Sequence, residues 1–212
     1  MMKSRILLPT VIMSLISFGA LGQAQLAFGI KAGANFSKID PAGSAASNLD
    51  NATGFHAGAF GLVKVLMIGI QPEVMFSKQG SNFTYNNESY EANFDYINVP
   101  ILLKFYLPLG LNLQAGPQFG FLTVADLKTT ATSTNDPGDV KSLFSDKNDI
   151  AVALGAGWDL PFGLTVDFRY NIGLNDMKLT PPTTSSTPKV EFKNKVIQLS
   201  VGYKLVKLGG GK

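Results

Sequence analysis

The sequence predicts an all-β fold: an eight-stranded antiparallel up-and-down transmembrane β-barrel with short periplasmic turns and four long extracellular loops. Three observations predict it. Eight segments alternate apolar and polar residues with period two, the side-chain period of a strand. The polar side of these segments carries whole charges, whereas the apolar side is unbroken across all eight. The connections alternate between short turns and long polar loops, the asymmetry of an outer-membrane barrel.

The first residues stand apart from this pattern. Lys3 and Arg5 precede an apolar stretch from Ile6 to Ala20, and Gly22-Gln23-Ala24 places small residues where a signal peptidase reads. This is the form of a secretory leader, residues 1–24, with cleavage expected between Ala24 and Gln25. No cysteine follows the stretch, so a lipoprotein anchor is excluded. Losing Lys3 and Arg5 takes the formal charge from +3 to +1 (3 − 2), which gives a nucleic-acid partner no electrostatic support. A chain with no cysteine also holds no disulfide, thiolate metal site or cysteine nucleophile, and its one histidine excludes a two-histidine metal site. No metal and no cofactor is expected.

The barrel is expected over residues 25–205, with residues 206–212 as a short tail. Leu26 to Phe36 sets Leu26, Phe28, Ile30 and Phe36 against Lys31 and Asn35. Gly54 to Leu66 is the least regular, because turning His56 and Lys64 inward also turns Phe60 and Leu62 inward. Ile68 to Lys78 opposes Ile70, Val74 and Phe76 to Gln71 and Glu73, and Tyr96 to Leu107 opposes Ile97, Leu103 and Phe105 to Asn98 and Lys104. Leu111 to Val124 begins Leu111, Leu113, Ala115 against Asn112 and Gln114. Ile150 to Leu160 sets Leu154, Ala156 and Trp158 against Gly155, Gly157 and Asp159. Phe162 to Leu174 sets Val166, Phe168 and Tyr170 against Asp167, Arg169 and Asn171. Val196 to Leu205 closes the series with Ile197, Leu199, Val201 and Tyr203 against Gln198, Ser200 and Lys204. Pro72, Pro100 and Pro117 fall mid-strand, where bulges or unneeded amides are expected.

Leu66-Met67, Leu107 to Gly110 and Leu160 to Gly163 are the short turns. The long loops are expected at Ser37 to Thr53, Gln79 to Asp95, Ala125 to Asp149 and Asp176 to Lys195, the last containing "PPTTSSTP". A soluble lipocalin-like barrel is the competing architecture. Lys31, Glu73, Asp167, Arg169 and Lys204 decide against it. A mid-strand Arg or Lys facing lipid costs roughly 2–4 kcal/mol, so the charges turn inward and the apolar side meets hydrocarbon. Aromatic residues fall towards both ends: Phe28, Phe105, Trp158, Phe162 and Tyr203 near the short turns, and Phe36, Phe55, Phe76 and Phe119 near the loops. These make two interfacial girdles.

Seven motifs in order carry a family resemblance: "GIKAGANFS", "GFHAGAFG", "IQPEVMFSKQG", "YINVPILLKFYL", "LQAGPQFGFL", "GLTVDFRYNIGL" and "IQLSVGYKL". With these the chain resembles the PorT-type, porin-family outer-membrane β-barrel proteins of Bacteroidetes-like bacteria. The resemblance implies an outer-membrane location and an eight-stranded barrel. It implies little about activity, though one branch is linked to protein secretion. Such barrels usually end on an aromatic residue that the assembly machinery reads. Here Leu205 holds that place, and "VKLGGGK" follows.

The inward charges Lys31, Glu73, Asp167 and Arg169 are expected to form an ion-pair network that fills the lumen, with Arg169 paired to Glu73 or Asp167. Eight strands enclose only enough room for side chains, and charges taken from water must pair. His56 has no second histidine and no recognisable serine partner, so it is expected as a buried, hydrogen-bonded lumen residue. No residue is assigned a catalytic role. The function expected is structural or interactive, through the long loops, with an envelope or secretion partner. The alternatives are narrow porin-like transport and an outer-membrane lipid-modifying enzyme. Outer-membrane lipid and the assembly machinery are the expected partners.

Overall fold

The computed structural model describes residues 24–41, 47–85, 88–129, 138–139, 148–174, 177–179 and 190–209, with side chains placed for 24–37, 53–79, 93–125, 148–174 and 195–209. Eight long strands make the wall: β1 (Ala24–Pro41), β2 (Ser47–Val65), β3 (Ile68–Tyr85), β4 (Glu88–Tyr106), β5 (Leu111–Thr129), β7 (Asn148–Asp159), β8 (Leu164–Gly173) and β10 (Val190–Gly209). Two short strands, β6 (Gly138–Asp139) and β9 (Met177–Leu179), pair with β5 and β10. Each wall strand pairs antiparallel with its neighbour in the chain, and β1 returns to pair with β10. The sheet is therefore closed, and closure leaves no ladder edge to face hydrocarbon.

The alternation seen in the sequence becomes two opposite faces. Ile30, Ile70, Val74, Leu103, Leu113, Leu154, Phe168 and Val201 point out and are exposed. Lys31, Gln71, Glu73, Lys104, Gln114, Asp167, Arg169 and Gln198 point in and are buried. A soluble protein rarely exposes apolar area on this scale, so the outer band fits lipid and the polar interior is the core. β2 keeps Phe60 and Leu62 inward with His56, as its alternation requires. The nine girdle aromatics all project outward and exposed, with the Phe55 and Phe76 rings 6.0 Å apart.

The strands run further than their alternation. β1 continues to Pro41, β2 starts at Ser47, and β3 and β4 extend to Tyr85 and from Glu88. The expected loop from Gln79 to Asp95 is thus mostly ladder, with only residues 86–87 between its strands. Backbone pairing does not need alternating side chains, so the ladder continues where period-two hydrophobicity stops. At the other end β10 runs to Gly209, with Val206 to Gly209 paired to Phe28 through Gln25. The barrel therefore ends four residues later than Leu205, across a bulge at Phe28/Gly29. Residues 210–212, the "PPTTSSTP" run and residues 1–23 lie outside the described residues. Ala24, on the near side of the expected cleavage, pairs with Val65.

The register runs through Pro72, Pro100 and Pro117 without a shift. Register shifts fall instead at Phe28/Gly29, at Asp95/Tyr96 and at two places in the β2–β3 pairing. The prolines are accommodated in register, and no bulge is centred on them.

Candidate functional site

The lumen holds the chemistry, and its centre is Glu73 on β3. Arg169 reaches it from β8 with two parallel bonds, Nη1 to Oε2 at 3.0 Å and Nη2 to Oε1 at 2.9 Å. Lys31 on β1 adds a third bond to Oε1 at 3.0 Å, and Gln71 a fourth at 2.7 Å. The planar guanidinium fork matches a carboxylate, which makes this pair directional as well as charged. Lys31 also lies 2.7 Å from Asp167, so all four sequence-nominated charges form one connected group.

Asp167 and Arg169 are two apart on β8 and both point inward, but the structure does not pair them directly. Arg169 crosses the lumen to Glu73. Asp167 instead meets Lys31 and Lys104, and accepts a bond from Gln114 at 2.8 Å. The group then continues towards the short-turn end. Lys104 on β4 lies 3.5 Å from Asp167 and 3.6 Å from Asp159, and Lys204 on β10 lies 2.6 Å from Asp159. Tyr106 donates to Asp159 at 2.9 Å, and the Lys64 ammonium stands 3.9 Å from the Tyr106 ring centroid.

The ladder's later members, Lys104, Asp159 and Lys204, were each legible as inward-facing residues. Their meeting was not, because it depends on the tilt and stagger of strands that are distant in sequence.

A second polar group is centred on Asn35. Its amide nitrogen donates to Phe55 O at 3.0 Å, Ser77 Oγ at 3.0 Å and Lys78 O at 2.9 Å. Two backbone carbonyls among these acceptors fix which end of the amide is nitrogen. Its Oδ1 therefore accepts from Gln198 at 3.0 Å and faces His56 Nδ1 at 2.7 Å. Nδ1 carries the imidazole proton, Nε2 is bare, and Ser200 Oγ donates to Nε2 across 2.8 Å. His56 thus does have a serine partner, contrary to the sequence expectation. The partner was hidden because it lies 144 residues away and across the closing β1–β10 seam.

Gly33 makes this contact sterically available. It sits on β1 between His56 and Ser200 in register, and a Cβ there would fall 2.8 Å from His56 Cε1 and against the Leu199 carbonyl. The Ser–His–Asn order is that of a base-activated hydroxyl. Here His56 is 2% and Ser200 4% exposed, so the hydroxyl faces packed side chains. In this setting the three groups lock β1, β2 and β10 together.

A strand-closed wall, an apolar outer band and a charged, filled lumen together describe a membrane barrel, and the family comparison agrees. The model for the outer membrane protein beta-barrel domain matches residues 22–179. The chain belongs to this family. It is an outer-membrane β-barrel protein. Among solved structures it is similar to Neisserial surface protein A at 11% identity, with 84% of this chain and 97% of that one covered and a TM-score of 0.51. Others are Ail, the attachment invasion locus protein of Yersinia pestis (15% identity, 88% and 99% covered, TM-score 0.45), and the E. coli outer membrane protein W (13%, 84% and 97%, TM-score 0.44). At such identities the likeness concerns the fold. No curated protein matches the sequence.

Proposed function

We propose that this outer-membrane barrel is closed to solutes and acts through the segments beyond the membrane, as a structural or docking element of the envelope. The observation that carries the reading is the occupancy of the lumen. Four cations and three carboxylates, linked from Arg169 to Lys204, cross the interior with every ion within 4 Å of an opposite charge. A solute would have to separate these pairs without replacing their partners, which is costly in a low-dielectric interior. The PorT-type resemblance of the motifs supports an envelope or secretion partner for the loops. The leader supports export and cleavage between Ala24 and Gln25, which N-terminal sequencing of the mature protein tests.

Planar-bilayer recording of the purified barrel is the direct test. Absence of single-channel steps at neutral pH is expected, and steady ion-selective steps would establish the narrow-pore reading instead. A gene deletion followed by secretion and envelope-integrity assays then identifies the role of the loops. The hydrolytic alternative draws support from Ser200–His56–Asn35 alone. Covalent capture of Ser200 by a small fluorophosphonate in the native membrane would favour it. An unlabelled Ser200 supports the non-enzymatic reading.

A further inference from the structure

The three short turns are built from residues that suit water poorly. Their sequences are Leu66-Met67, Leu107-Pro108-Leu109-Gly110 and Leu160-Pro161-Phe162-Gly163, without one charged, amide or hydroxyl side chain. Leu109 is 86% exposed, Leu66 66% and Phe162 65%, so the tips carry the most exposed large apolar side chains among the described residues. Turns in water ordinarily use Gly, Asn, Asp or Ser, for both conformation and solvation.

The backbone gives an independent observation. Leu66 has φ 56° and Leu109 φ 64°, and these are the only non-glycine residues with positive φ among the described residues. A Cβ makes this region unfavourable, and a bulky residue there is an outlier. In the β2–β3 turn only the first of the two central residues has positive φ, a position that favours glycine. Both turns therefore keep a leucine side chain where glycine or asparagine would relax the backbone. In water neither the strain nor the exposure has any return.

We infer that the short-turn tips are immersed in the phospholipid interface, as a continuation of the lipid-facing band. Continuity with that band identifies the occupant. Leu66 and Met67 run directly into exposed Ile68 and Ile70, Leu109 lies between exposed Leu107 and Leu111, and Phe162 leads towards exposed Val166. Trp158 Nε1 donates to Leu109 O at 2.9 Å, which ties the second turn to an interfacial aromatic. Lys207 Nζ donates to Pro161 O at 3.0 Å from an exposed position, placing an ammonium where headgroup phosphates would lie above an apolar tip. The inference rests on the band being lipid-facing, and its test separates the two.

The chain has no cysteine, so single labels are simple to place. Nitroxides at Leu109→Cys, Phe162→Cys and the mid-band reference Phe168→Cys are read in vesicles of phosphatidylethanolamine and phosphatidylglycerol, with oxygen or a nickel chelate on both sides. The Leu109 and Phe162 labels are expected to be relaxed by oxygen more than by nickel, at a depth shallower than Phe168. Nickel access like that of a free nitroxide in water, with Phe168 still protected, overturns the inference alone. Tips exposed in vesicles but shielded in whole outer membranes overturn it in favour of a protein partner. Loss of protection at Phe168 as well overturns the lipid-facing band itself.

Leu109→Asn supplies a second readout by sign. Asparagine tolerates positive φ and prefers water, so a tip in water gains stability on substitution. A lower urea midpoint in vesicles is expected, and a raised midpoint overturns the inference.

Discussion

Glu73→Ala should destabilise the barrel more than Arg169→Ala, although the two residues form one ion pair. With Glu73 gone, Arg169 keeps one long hydrogen bond, to Gln114 Oε1 at 3.4 Å, and the more distant charge of Asp167, with its side chain 3% exposed. The lumen then holds four cations against two carboxylates, and Arg169 drops out of the connected group. With Arg169 gone, Glu73 still holds Lys31 at 3.0 Å and Gln71 at 2.7 Å, and the count becomes three and three. Leaving a buried charge uncompensated costs about 3–5 kcal/mol. Glu73→Ala should fall at the top of this range, and Arg169→Ala at or below its bottom because its partner remains paired. The pair Glu73→Leu with Arg169→Met should be milder than Glu73→Ala alone, since neither charge is then stranded. Equilibrium unfolding in urea, followed by fluorescence of the single tryptophan, Trp158, gives the midpoints and slopes. If Arg169→Ala proves the more damaging, or both variants unfold within about 0.5 kcal/mol of the parent, the lumen is hydrated enough to solvate lone charges. The pairing argument would then fail.

Three further outcomes test the rest of the architecture. Phe168→Arg replaces an exposed mid-band residue and should cost roughly 2–4 kcal/mol in the bilayer, read as loss of the heat-modifiable band on a gel; normal insertion would mean the faces are assigned the wrong way round. Gly33→Ala should weaken the β1–β10 seam because a Cβ there meets the Leu199 carbonyl, a backbone atom that cannot rotate aside; an unchanged thermal midpoint in micelles would contradict this. Asn35→Ala strands two buried donors, His56 Nδ1 and Gln198 Nε2, at about 1–3 kcal/mol for each, and should lower the thermal midpoint well beyond Ser200→Ala, which removes one bond. Equal effects from the two would show that Asn35 does not organise the network.

The period-two pattern was enough to assign a face to almost every membrane-spanning residue. A strand side chain can point only to one side or the other, and lipid penalises a wrong assignment strongly. Lys31, Glu73, Asp167 and Arg169 were therefore legible as interior residues, and the volume of an eight-stranded lumen made their pairing physically necessary. The order of partners was not legible. Asp167 takes Lys31 and Lys104 rather than Arg169, and His56 takes Ser200, because closing β1 on β10 with a given stagger sets which inward residues share a level. The ends of the strands were hidden for a different reason. Around Gln79 to Asp95 the residues no longer alternate apolar with polar, so the sequence does not record that the backbone is still paired. The hydrophobic pattern is a record of contact with lipid. The register of each ladder and the stagger at which β1 closes on β10 leave no such record, and the tertiary structure had to supply them.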